Sequence, residues 1–210
     1  MRLYYMPAAC SLSPHIIINE LGLDIELIKV DSTTHLTEQG ESFLEINPFG
    51  YIPLLQLDDG TTLREGSVIV QYLADLKPEK NLIPLAGSME RYKLQEWLAF
   101  LSSEIHSGFI PLFRAELSGS YGSDHVKPIL EERFAWINEQ LADKMYLMGD
   151  FSVADAYLFA LTQWGKAKWL IPTFNADIHF DELLNLKDWY LRVKEKSSVQ
   201  KALLKEGLIS

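Results

Sequence analysis

Arg2-Leu3-Tyr4-Tyr5-Met6-Pro7-Ala8-Ala9-Cys10-Ser11-Leu12-Ser13-Pro14-His15-Ile16-Ile17-Ile18-Asn19-Glu20-Leu21-Gly22 is the stretch on which the fold turns. Its opening, Arg2 to Met6, carries strand-forming Tyr4 and Tyr5. Pro7 to Ser11 is turn-like, and Pro14 to Leu21 is apolar and helical. Gly22 follows where a helix commonly ends on a left-handed glycine. Ile25 to Val30, β-branched and apolar between Asp24 and Asp31, is a second strand. Two strands flanking a helix call for a parallel, right-handed crossover.

Working outward, a short helix over Glu41 to Ile46 stops at Asn47-Pro48. Ile52 to Leu57 and Thr61 to Leu63 flank Asp58-Asp59-Gly60, a strong hairpin signal. Ser67 to Leu76 has helical spacing, with Val68, Tyr72, Leu73 and Leu76 on one side. Residues 1–80 therefore form a mixed four-stranded sheet covered by helices. The Pro- and Gly-containing stretch Pro78 to Ser88 suits a linker, placed at 81–87. Residues 88–210 contain no convincing strand and form an all-α part. There Met89, Trp97, Leu101, Ile105 and Phe109 recur at helical spacing until Pro111 kinks or ends the helix. Ile129 to Leu141, Ala154 to Leu170 and Leu183 to Val193 carry similar apolar faces. The fold class is α+β.

The chain has 210 residues, and its 19 basic and 29 acidic side chains give a net charge of −10. That balance argues against nucleic acid held by bulk electrostatics. One cysteine excludes an intrachain disulfide framework and any cysteine-rich zinc site, and His179 with Asp177 and Asp181 makes no metal motif. The longest apolar run, Ala156 to Leu161, is far short of a bilayer span, so no membrane partner is expected. The opening residues lack a secretory signal pattern, and a cytoplasmic protein is expected.

Cys10 follows the first strand and precedes a helix, where open amides and the helix dipole favour an anion. It opens a Cys-Ser-Leu-Ser sequence, the thiol-redox Cys-x-x-Cys pattern with serine second. Free cysteines are also commonly buried as small apolar side chains. Lowering a thiol pKa by about two pH units needs about 2.7 kcal/mol. A helix terminus supplies only about 0.3–1 kcal/mol, so a donor such as Ser11, Tyr5 or a histidine must help. His106 matters only if its helix packs over the Cys10 turn; His15, His35 and His125 are unremarkable by default. Pro53, at the head of a core strand, marks an edge or a cis bond. A cis bond there would leave the Ile52 backbone open to an extended peptide. Ser67 occupies a helix N-cap position, and Glu65 beside it suits an ammonium. Ser152 and Asp155 form a capping box, which explains that acid without catalysis.

Tyr5, Pro7 to His15, Asn47-Pro48-Phe49-Gly50-Tyr51-Ile52-Pro53, Glu65-Gly66-Ser67 and Tyr72 to Asp75 together resemble the cytosolic glutathione transferases. Arg91 to Lys93, Glu96 to Leu98, His106 to Phe109 and Phe151 to Tyr157 extend the likeness along the chain. A cysteine at position 10 resembles the bacterial beta class. The resemblance implies a thioredoxin-like domain that binds glutathione as co-substrate, and a helical domain lining a hydrophobic substrate site. It implies that Ile52, before a cis Pro53, pairs with the cysteinyl unit, and that Glu65, Gly66 and Ser67 hold the γ-glutamyl head. Cys10 and His106 would flank the glutathione sulfur, with Ser103 and Glu104 near it, from a neighbouring subunit of a homodimer if not from the same chain. His35 stands where relatives often carry a lysine for the glycine carboxylate, and Ala99 where some carry asparagine. Tyr5, Phe109, Phe113 and Trp164 would line the second site for a small hydrophobic electrophile, or serve as core. The implied activity is conjugation in detoxification. Two alternatives are a thiol–disulfide oxidoreductase working through a Cys10 mixed disulfide, and a non-enzymatic regulatory module like the stringent-starvation-type relatives that contact RNA polymerase.

Overall fold

A computed structural model describes residues 1–174 and 176–210. β1 (Arg2–Tyr5) lies inside a four-stranded sheet of order β2-β1-β3-β4. β2 (Glu26–Lys29) runs parallel to β1, while β3 (Leu54–Gln56) and β4 (Thr62–Leu63) are antiparallel additions. The expected crossover and hairpin both form, with Gly60 supplying a φ of +87° in the turn.

Strand alternation decides what each face buries. Leu3 and Leu55 join the main core with α1 (Leu12–Leu21) and α3 (Gly66–Asp75). Tyr4, Ile28, Val30 and Leu54 pack on the other face with Phe43 of the one-turn α2 (Phe43–Ile46). Gly22 ends α1 at φ +60°, as its position implied. Residues 81–87 carry neither helix nor strand, yet Leu82 and Ile83 are buried and the Leu82 carbonyl accepts the Val153 amide at 3.1 Å.

Beyond this point the described residues are helical, apart from turns and isolated bridges. α4 (Met89–Phe100) passes through a π-helical turn (Leu101–His106) into α5 (Ser107–Phe113). Pro111 therefore does not end the helix. It removes one amide bond from a run anchored by the fully buried Phe109, and the turn breaks only at Arg114. α6 (Ala115–Ser118), a second π turn (Gly122–Val126) and α7 (Lys127–Gln140) follow. α8 (Val153–Thr162) is shorter than the Ala154–Leu170 pattern suggested, because the chain turns at Gly165, packed tightly beneath Phe180. α9 (Leu184–Lys194) matches its apolar face, and α10 (Ser197–Lys205) was not anticipated. α10 buries Val199, Ala202 and Leu203 and packs on α1. One apolar core thus runs from Leu3 through Leu98 and Leu158 to Leu203. No helix among the described residues is long and apolar enough to cross a membrane.

Candidate active site

The turn between β1 and α1 is closed by Ser11. Its Oγ donates to the Met6 carbonyl at 3.0 Å and accepts the Met6 amide at 3.2 Å, so this side chain shapes the turn and does not serve the thiol. The amides of Cys10 and Ser11 favour the thiolate, as a helix start should. Burial wins nevertheless. Cys10 is 7% exposed, and desolvation pushes its pKa up to about 12, with the Glu65 and Glu206 carboxylates adding to the rise. A helix terminus worth about 0.3–1 kcal/mol does not offset the loss of water around a charge. The protonated thiol instead donates to the Ile52 carbonyl at 3.5 Å.

That contact joins the Cys10 turn to the loop before β3. The Ile52–Pro53 bond is cis. Pro53 also meets the start of α3: a Cβ on Gly66 would lie 3.6 Å from its Cγ. α3 begins at Gly66 with Glu65 at the cap position, so Ser67 lies in the first turn and is not the cap. The reason is backbone conformation. Glu65 adopts φ +66°, and its carbonyl accepts the Val68 and Ile69 amides at 2.9 Å. The amides of Gly66 and Ser67 have no partner among the described residues. Glu65 itself is exposed. His35, at φ +54°, packs its ring under Gly50, with Nδ1 buried and unpartnered.

The opposing wall comes from the helical half. His106 ends the π turn, a geometry frequent at functional sites. Its Nδ1 lies 2.8 Å from the Tyr157 hydroxyl, and its ring centroid 5.2 Å from that of Trp164. Trp164 in turn donates its indole N–H to the Ala8 carbonyl at 2.9 Å, so the His106 wall is fastened to the Cys10 turn. Burial lowers the His106 pKa to about 4, which keeps the ring neutral at pH 7. Burial also raises Tyr157, with the charges of Cys10 and Glu65 adding to the rise. With the Tyr157 hydroxyl as donor to Nδ1, the proton of the neutral ring sits on Nε2.

Other expected residues fall elsewhere. Tyr5 packs against His15 with ring centroids 5.9 Å apart and makes no hydrogen bond to Cys10. Phe109 is fully buried between Phe113, Phe134 and Trp164, so it is core and lines no open site. Trp164 is also nearly covered, and the half-exposed rings beside it are Phe113 and Phe174, at 5.3 and 6.2 Å. Within one chain Ser103 and Glu104 face outward: Ser103 Oγ donates to the Ala99 carbonyl at 3.0 Å and Glu104 meets Arg133 Nε at 3.2 Å. Asp155 is wholly buried and accepts from the Ser152 and Leu147 amides, the Ser152 hydroxyl and the Trp189 indole. His15 was wrongly passed over, for it is buried with Nδ1 2.8 Å from Glu206. Sequence reading also missed Tyr157 and Phe174. Tyr157 sits in an apolar run that reads as plain core, and only its hydroxyl hinted at a partner.

A concavity of about 490 Å³ among Met1, Arg2, Glu26, Gln56 and Asp58 opens at the opposite end of β1 and holds none of these groups. Among the described residues no cluster of three or more His, Cys, Asp or Glu could hold a metal ion.

Comparison with known proteins gives a consistent result. Residues 9–76 match the family described as the N-terminal domain of glutathione S-transferase. Glutathione S-transferase GstA of Escherichia coli O157:H7 is 39% identical over 209 residues, covering 99% of this chain and 100% of its own. A bacterial beta class glutathione S-transferase from Sphingomonas chungbukensis is 37% identical across 100% of both chains, with a TM-score of 0.91. A sphingomonad glutathione S-transferase complexed with glutathione is 37% identical across 100% of both chains, with a TM-score of 0.90.

Proposed function

Because this chain belongs to the glutathione S-transferase family, we propose that it joins the thiolate of glutathione to small hydrophobic electrophiles at the Cys10–His106 cleft. The supporting observation is geometric: the Cys10 thiol donates to the Ile52 carbonyl at 3.5 Å, and His106, 2.8 Å from the Tyr157 hydroxyl, packs on the Trp164 ring that bonds the Ala8 carbonyl of the Cys10 turn; burial keeps both groups neutral. Two neutral donors lower the pKa of a bound thiol by favouring its anion, and neither competes as a base.

The steps follow from the positions. The free Gly66 and Ser67 amides receive the γ-glutamyl carboxylate, and exposed Glu65 receives its ammonium. The cysteinyl amide of glutathione takes over the Ile52 carbonyl. That displaces the Cys10 S–H, which turns to the ligand sulfur beside His106 Nε2–H. The ligand's thiol proton leaves to solvent. Its sulfur lone pair then forms the new S–C bond while a leaving group departs with its electrons, or the electrons move into an activated double bond. Phe113, Phe174 and Trp164 supply the apolar wall for the electrophile. His35 is read as the contact for the glycine carboxylate of glutathione. Ser103 and Glu104, which face outward, Glu104 beside Phe100 and Trp136, are read as reaching the cleft of a second copy in a homodimer. Detoxification in the cytoplasm is the setting this chemistry suits.

Cys10→Ala tests the assignment. The attacking sulfur belongs to the ligand, so losing one neutral donor should cost about tenfold or less in kcat/KM for a chlorodinitrobenzene-type electrophile. Loss of all conjugation, with a glutathione adduct on wild-type Cys10 released by reductant in intact-protein mass measurement, would instead favour disulfide exchange. Absence of glutathione binding in calorimetry would remove both readings.

A further inference from the structure

Ala8, two residues before Cys10, occupies φ +64°, a left-handed conformation that a side-chain-bearing residue adopts only when its surroundings hold it there. Two groups hold it. Its carbonyl accepts from Trp164, and its amide donates to Glu206 Oε2 at 2.9 Å. The other Glu206 oxygen lies 2.8 Å from His15 Nδ1, on the helix that Cys10 precedes. The side chains of His15 and Glu206 are 2% and 0% exposed. Glu206 directly follows α10, nearly the whole chain away from the turn it grips.

A buried carboxylate is a costly way to fasten one helix to another, since apolar packing does so without desolvating a charge. α10 already has that packing through Val199, Ala202 and Leu203. What Glu206 adds is a fixed acceptor for one amide of the catalytic turn. We propose that Glu206 and His15 are positioning residues, a clamp that sets the Ala8 backbone and thereby fixes the Cys10 turn in its place beside the Ile52 carbonyl. The segment after α10 is thus part of the active-site machinery. The proposal rests on the reading that glutathione binds at Cys10.

Glu206→Ala and Glu206→Gln separate the clamp from plain stability. Gln keeps an acceptor for the Ala8 amide and an amide group beside His15 Nδ1, which pairs with it in whichever tautomer the ring adopts. With the clamp gone, Glu206→Ala should raise KM for glutathione about tenfold, because a turn misplaced by an ångström forfeits alignment. In the absence of glutathione, its Cys10 should react about tenfold faster with iodoacetamide, the thiol no longer being held down on Ile52. Glu206→Gln should recover KM to within about threefold of wild type, one neutral bond replacing a charged one. Glu206→Asp, which keeps the charge but withdraws the oxygens by one methylene, should raise KM at least about threefold and serves if the alanine variant does not fold. Folded variants with wild-type KM and wild-type thiol reactivity would overturn the clamp, as would a glutamine variant no better than alanine. If the wild type fails to turn over glutathione, the functional reading falls while the thiol-reactivity comparison still judges the clamp.

Discussion

At the start of α8 the Asp155 carboxylate gathers four hydrogen bonds, from the Ser152 amide and hydroxyl, the Leu147 amide and the Trp189 indole. At the start of α1 no side chain caps the helix, and the Cys10 and Ser11 amides are directed at a sulfur. The first end is closed by its own sequence neighbours. The second is left open for chemistry and is held in shape from afar, by Trp164 and Glu206. α3 resembles α1 in lacking a side-chain cap: its Gly66 and Ser67 amides have no partner among the described residues. Open helix starts therefore mark the site, and the closed one marks scaffold.

The sharpest way to break this contrast is to ask whether the open amides of α1 ionise the thiol. With a pKa pushed up to about 12 by burial, Cys10 is not a thiolate at rest. Its thiolate fraction at pH 7 is expected to be about a thousandfold below that of a free thiol. Alkylation by iodoacetamide should then rise about tenfold per pH unit from pH 7 to 9, a slope independent of how well the reagent reaches the sulfur. A plateau by pH 7 would mean that the helix start outweighs desolvation.

The next effect belongs to the closed end. Asp155→Ala leaves several buried donors unanswered and should lower stability by about 3 kcal/mol, read from urea midpoints at constant slope. A loss under about 1 kcal/mol would show that water or neighbours replace the carboxylate, and that α8 is not closed in the sense used here.

The same contrast explains what could be read in advance. The sheet, the Asp58–Gly60 hairpin, the Gly22 helix stop and the Ser152–Asp155 cap depend on residues a few positions apart, and each was legible. Cys10 and His106 stood out because their residue types and settings are chemically unusual. The protonation state of Cys10 was not legible, because burial is a tertiary quantity, whereas the helix end that opposes it is local. Glu206 and Tyr157 were missed for a related reason. Their partners, Ala8 with His15 and His106, lie in other parts of the chain, and neither residue sits in a motif. Ser67 was placed two positions wrong because nothing in Arg64-Glu65-Gly66 announces a glutamate at φ +66°.

Ser67 gives the smallest and most discriminating effect. As a helix cap it would lose about 1 kcal/mol of stability on conversion to alanine. In the first turn of α3, with its amide unpartnered and no capping bond from its hydroxyl, it has no such bond to lose. Ser67→Ala should therefore change stability by less than about 0.5 kcal/mol, as substitutions at partly exposed positions outside any special contact do. The hydroxyl's value would appear only when an anion is bound: KM for glutathione should rise about fivefold, one hydrogen bond's worth, with kcat nearly unchanged. The opposite pattern, a stability loss with KM intact, would return Ser67 to the closed kind of helix start and detach α3 from the site.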